Sequence, residues 1–133
     1  MIFPYWEEIQ GLEPRILPLV PLTVHGPTGP IEMPALVDSG AEQSVLPATL
    51  ADELGISLED AQSAVIVGVG EHEISSHLAL VEMQLGSHRW QAPVVFADGK
   101  VRPLLGQAGF FAFFTVTFRY EKREMDIRWT RRT

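Results

Sequence analysis

Cysteine is absent from the 133 residues, which removes a disulfide framework, a thiolate nucleophile and any cysteine-ligated zinc site. Cations are scarce: ten Lys and Arg face seventeen Asp and Glu, a formal net charge of −7 at pH 7. Proteins that hold nucleic acid through its phosphates need a basic face, and the terminal Arg131-Arg132 pair is too small to supply one. Apolar runs are short, none near the ~20 residues of a membrane-spanning helix. The N-terminal Met1-Ile2-Phe3-Pro4-Tyr5-Trp6-Glu7-Glu8 lacks the basic flank and long apolar core of a signal peptide. The expectation is a soluble, cytoplasmic protein that binds neither nucleic acid nor membrane. Linkers, low-complexity tracts and solenoid repeats are also missing, so the length reads as one domain.

What is present is an ordinary globular composition, 46% hydrophobic and 20% charged, punctuated by ten prolines and eleven glycines. The segments between are short and rich in Val, Leu, Ile and Phe, which predicts an all-β chain of many short strands. Residues 1–15 show no clear period and read as an irregular N-terminal arm ahead of a single domain, 16–133. Ile16–Val24, with prolines at 18 and 21, reads as an edge or bulged strand. The turn signal His25–Pro30 joins it to Ile31–Val37 in a hairpin. Glu42–Leu46 follows as a short strand, and Pro47–Leu54 as a short helix with Gly55 just past its end.

Further strands are expected at Ala64–Val67, Ile74–Leu85, Trp90–Ala97 and Val101–Leu105, then at Thr115–Tyr120 and Met125–Trp129. The period-2 pattern of Ile74–Leu85 sets Ala79, Val81, Met83 and Leu85 on one face, and Met125–Trp129 also alternates. Gln107–Phe113, with phenylalanines at helical spacings, reads as a short helix. Those phenylalanines are assigned to packing rather than to a ligand box.

Two segments carry chemistry. Ala35-Leu36-Val37 drives apolar residues into Asp38-Ser39-Gly40-Ala41, and Arg102-Pro103-Leu104-Leu105-Gly106 again drives apolar residues into a glycine. A carboxylate at the end of a buried strand is costly unless something uses it. Taken alone, Asp-Ser-Gly reads most simply as an Asx-turn. The pair, in that order, resembles the retropepsin-like aspartic protease family, whose half-site is Asp-Ser/Thr-Gly braced by a hydrophobic-hydrophobic-Gly segment. The resemblance runs from about residue 16 to 129, and Gly109-Phe110-Phe111 after Leu-Leu-Gly is similar to bacterial single-domain members.

The resemblance implies a closed, mostly β barrel with one or two short helices that becomes an enzyme only as a homodimer. It implies an aspartic endopeptidase acting on peptides or proteins without metal or organic cofactor, Asp38 of each subunit holding the attacking water. Ser39 would brace the dyad through its hydroxyl, and Gly40 would donate its N–H to a carboxylate. Ala41 and a flap at Val67, Gly68, Val69 and Gly70 would hold substrate, with Leu104, Leu105 and Gly106 as support. The terminal strands of two subunits would interleave, and Gln107-Ala108 stands where many viral members carry an Arg or an Asn-Asp pair that stitches the dimer. Two carboxylates in close approach share one proton, and 133 residues with a single such motif supply one carboxylate.

Other chemistries fit less well. His72 and His77 are five apart, one more than the His-Glu-x-x-His zinc motif allows, and they point apart on helix or strand alike. His25 and His88 fall in predicted turns and read as solvated. Gly68-Val69-Gly70 lacks the third glycine of a dinucleotide site, and Ser39 and Ser44 lack credible His and Asp partners. The alternatives to a peptidase are a non-catalytic dimerisation or peptide-binding module of the same fold, and a small β-barrel scaffold in which Asp38 only caps a turn.

Overall fold

The computed structural model describes residues 1–59, 61–67 and 73–130. In chain order the elements are β1 (Ile2–Pro4), β2 (Trp6–Gln10), β3 (Glu13–Leu17), β4 (Leu19–Gly26), β5 (Gly29–Val37), β6 (Val45–Pro47), α1 (Ala48–Leu54), β7 (Gln62–Val67), β8 (Glu73–Leu85), β9 (His88–Ala97), β10 (Leu104–Leu105), β11 (Phe114–Arg119) and β12 (Glu124–Trp129). A 3-10 turn at Tyr120–Lys122 joins the last two.

Six strands close into a barrel. Neighbours run β4, β5, β10, β6, β9, β8, and β8 returns to β4 through Thr23–Gln84, Val24–Met83 and His25–Glu82. Closure leaves no open edge on that ring, and β7 hangs outside it on β8. The β4–β5 hairpin turns at Pro27-Thr28, where Gly26 faces Gly29 at φ +125°. A Cβ at Gly26 would lie 2.5 Å from the Leu54 carbonyl oxygen, so the glycine lets α1 sit against the hairpin. The helix starts at Ala48, one residue later than expected because Pro47 is extended and ends β6, and it stops at Gly55 in the left-handed conformation, φ +73°, as its sequence predicts.

Alternation fills the interior. Leu22 and Val24 of β4, Ala35 and Val37 of β5, Val81, Met83 and Leu85 of β8, and Val94 and Phe96 of β9 all point into one core. Leu80 has the opposite parity and is 72% exposed. Among the described residues no helix is long and apolar enough to cross a membrane.

Two readings need correction. Residues 1–15 are not irregular: β1 pairs with β12, and β2–β3 form a separate hairpin turning through Gly11 at φ +67°. Gln107–Phe113 is not a helix. Gly109 sits at φ +93°, outside helical space, and the chain coils through bonds such as Phe111 N–H to Gly106 O at 3.1 Å. Within the chain, β12 pairs with β1 on one edge and with β11 on the other in a three-stranded sheet. Its Met125 and Ile127 are fully buried in the core.

Asp126 lies between those two residues and is buried as well, against simple alternation. Arg128 donates to its Oδ2 from Nε at 3.1 Å and from a terminal nitrogen at 3.0 Å, and the Met1 ammonium is 3.6 Å from Oδ1. The bonds from Arg128 hold the carboxyl below its ordinary pKa. A lowered carboxylate pKa adds stability at pH values above the ordinary carboxylate range. That stability is lost as the pH falls through the lowered value. Asp126→Asn is therefore expected to be less stable than wild type in urea melts at pH 7, with the gap closing on acidification. A gap that persists unchanged into strong acid contradicts this role.

Candidate active site

The end of β5 is held from both sides. Leu36 and Val37 run parallel to Leu104 and Leu105, with the N–H of Leu36 on Pro103 O and that of Asp38 on Leu105 O, each at 2.9 Å. From the other side, the N–H of Val37 donates to Pro18 O at 3.0 Å. The ladder thus continues through the backbone of Asp38 and stops at a turn. The N–H of Ala41 closes that turn on Asp38 O at 3.2 Å, and the N–H of Gly40 donates to Asp38 Oδ1 at 2.9 Å. Asp38 is half-buried, while Ser39 and Gly40 are exposed. The carboxylate therefore has one oxygen fixed from its own chain.

A second segment laces the turn from below. Gln107 donates its backbone N–H to Ala41 O at 2.8 Å and its side-chain Nε2 to Ser39 O at 2.7 Å. The N–H of Ala108 reaches Glu42 O at 2.9 Å. Ser44, 1% exposed, donates its hydroxyl to Ala108 O at 2.7 Å and accepts the N–H of Gly106 at 3.0 Å. Gly106 has no room for a side chain: a Cβ there would clash with Gln43 O and lie 2.6 Å from Ala41 O. Gly109 is equally confined, its Cβ position 2.7 Å from Pro93 O, and its carbonyl accepts the Trp90 indole N–H at 2.8 Å.

The residues singled out from sequence divide accordingly. Asp38, Ser39, Gly40, Ala41, Leu104, Leu105 and Gly106 come together in this one construction. Val67 ends β7 and pairs with Glu73, whereas Gly68, Val69 and Gly70 lie outside the described residues. Sequence reasoning missed the brace formed by Ser44, Gln107 and Gly109. His25 and His88 are not in solvated turns: His25, in β4, bonds Gln84 Oε1 at 2.8 Å, and His88 opens β9 with its ring 4.0 Å from that of Trp129. No group of three or more His, Asp or Glu able to hold a metal ion occurs among the described residues.

A cleft of about 1010 Å³ is lined by Glu8, Leu19, Pro34, Pro47, Arg102 and Pro103 among others. Asp38 is not one of its walls, but Pro34 and Leu36 have the parity of Asp38, opposite to the buried Ala35 and Val37. The cleft therefore lies on the outward surface of β5 that leads to the carboxylate. Glu8 carries Arg102 at 2.6 Å and Arg15 at 3.1 Å, which keep its carboxyl below the usual range.

This combination of a closed barrel and a carboxylate turn laced by a Leu-Leu-Gly segment defines the retropepsin-like fold. A family model described as aspartyl protease matches residues 20–108, spanning the barrel, the turn and most of its brace. The chain belongs to that family. Two solved structures are similar in fold. The EIAV protease complexed with the inhibitor HBY-793 is 21% identical with a TM-score of 0.56, covering 75% of this chain and 88% of its own. The retroviral protease-like domain of Ddi1 from Leishmania major is 18% identical with a TM-score of 0.51, covering 68% of this chain and 71% of its own. No curated protein matches significantly.

Replacing Ser44 by Ala leaves the Gly106 N–H buried without its acceptor, a loss of about 1–3 kcal/mol for an orphaned donor. Ser44→Ala is expected to lower the urea midpoint by that loss divided by the m-value, with the m-value itself unchanged. An unchanged midpoint contradicts the brace.

Proposed function

We propose that the chain is one half of a homodimeric aspartic endopeptidase, with Asp38 of two copies forming the catalytic pair and no metal or organic cofactor taking part. The observation that supports this most directly is the Asp38 carboxylate, fixed through Oδ1 by the Gly40 N–H on an exposed turn and rigidly backed by Leu105, Gly106 and Gln107. One such carboxylate cannot both take a proton from water and give one to an amide carbonyl. Two in close approach can, because only one ionises readily.

In that arrangement the ionised Asp38 takes a proton from a water as its oxygen adds to the scissile carbonyl carbon. The protonated Asp38 of the other copy gives its proton to the carbonyl oxygen, producing a neutral tetrahedral intermediate. Collapse returns a proton to the departing nitrogen as the C–N bond breaks. The two carboxyls titrate as a unit, so apparent pKa values belong to the pair. Ser39 would brace the pair by its hydroxyl. Ala41 and the segment Val67, Gly68, Val69 and Gly70 would pair with an extended substrate by strand addition.

The Gly40 bond also fits the plainer reading in which Asp38 only closes an Asx-turn. Asp38→Asn separates the two, because asparagine keeps the Oδ1 acceptor and loses the acid–base function. The variant is expected to fold and dimerise as wild type and to cleave a diverse peptide mixture at least about 100-fold more slowly. Products are read by mass spectrometry from acidic to neutral pH. Equal cleavage by both proteins, or none by a dimeric wild type, contradicts the proposal.

A further inference from the structure

We propose that the cleft floored by Pro34 and Pro47 is an accessory site for an acidic segment of the peptide substrate, held about four residues from the bond to be cut. Its place relative to the cut rests on the peptidase reading above, whereas the binding itself does not.

Charge is spread unevenly along the chain. The first 102 residues hold fourteen Asp and Glu but only four Lys and Arg. Three of those four cations meet at this cleft. Lys100 and Arg102 line it, and Arg15 joins Arg102 on Oε1 of Glu8, the one carboxylate in its wall. Two guanidiniums on one carboxylate leave a positive charge over. Arg102 uses a single terminal nitrogen for that bond, and its remaining N–H donors suit a second carboxylate. Lys100 is exposed and has no ion-pair partner among the described residues. In a chain of net charge −7 these two cations fit a carboxylate among apolar neighbours, not a polyanion that the rest of the surface repels.

The floor leaves recognition to side chains. Pro34, Pro47 and Pro103 have no backbone N–H to offer, and Pro103 O already accepts the Leu36 N–H. A peptide here meets fixed apolar rings and Leu19, with the two cations beside them. Rigid rings lose little freedom on binding.

Strand register sets the distance to Asp38. Leu104 pairs in parallel with Leu36 and antiparallel with Val45, so Pro34, Arg102 and Pro47 fall on one level, two residues from that rung. Pro34 has the outward parity of Asp38 and precedes it by four residues, about 13 Å at the usual strand rise. One extended peptide spans that gap with about four residues.

The test uses fluorescein-labelled peptides that alternate Leu and Ser and carry Glu or Lys at the central position. Anisotropy is read on the Asp38→Asn variant, so that cleavage does not deplete the probe. The Glu peptide is expected to bind at least about fivefold more tightly than the Lys peptide, the difference shrinking between about 50 and 500 mM salt. Adding Lys100→Glu is expected to remove or invert that preference, and adding Lys122→Glu, at an exposed residue that does not line the cleft, to keep it. In digests of a peptide mixture, wild type is expected to enrich Asp and Glu about four residues from the cut, and Lys100→Glu to lose that enrichment. Equal binding of the two peptides, or a preference that survives Lys100→Glu, overturns the site. Unchanged cutting positions in Lys100→Glu mean that the cleft does not hold substrate, and overturn the proposal while the peptidase stands. Lys100-dependent binding with no cleavage by wild type overturns the peptidase and the placement that rests on it, and leaves a site for acidic peptide.

Discussion

The hydrogen bond from the Asp38 N–H to Leu105 O is the constraint on which the site depends. It joins two stretches more than sixty residues apart, and everything nearby serves to keep them in register. Gly106 must lack a side chain for its strand to pass beneath Ala41 and Gln43, and the Ser44 hydroxyl fills the position between Gly106 and Ala108. Gln107 then holds the turn at both Ser39 and Ala41. A carboxylate on a flexible loop would lose its geometry with each backbone fluctuation. This one is tied to two strands of a closed barrel, so its position follows that of the core.

In the proposed dimer, half a site is enough for one chain. Closure uses the edges of the ring, and the C-terminal sheet uses both edges of β12 within the same subunit. Among the described residues, Ser39 and Gly40 of the turn stay exposed. A symmetric partner would supply the second carboxylate without a second gene segment or a longer chain. Gln107 is spent on the chain's own turn.

Much of this was legible in the sequence because backbone crowding leaves a glycine signature. Asp38-Ser39-Gly40 and Leu104-Leu105-Gly106 could be read together, and the strands of the barrel could be read from alternation and from turns such as Pro27-Thr28. The parts that escaped have physical reasons. Ser44 is one polar residue whose two partners are chosen by tertiary structure, so no local pattern marks it. The phenylalanines around Gly109 copy helical spacing, yet that glycine takes a conformation no helix permits. The β2–β3 hairpin is hidden because Glu7, Glu8 and Glu13 break the alternation of its few apolar residues. Asp126 is buried and pairs with Ile2 of β1, a strand more than 120 residues away that no reading of Met125–Trp129 could supply.

The central claim is that one site needs the Asp38 of two copies, and subunit mixing tests it most directly. Wild type and Asp38→Asn are refolded together in equal amounts, so that half the dimers are mixed, and initial cleavage rates are compared with wild type at the same total concentration. If each site needs both carboxylates, only dimers with two wild-type subunits work, and activity falls to about one quarter. A fall to only about one half means that each subunit works with its own carboxylate, and contradicts the account.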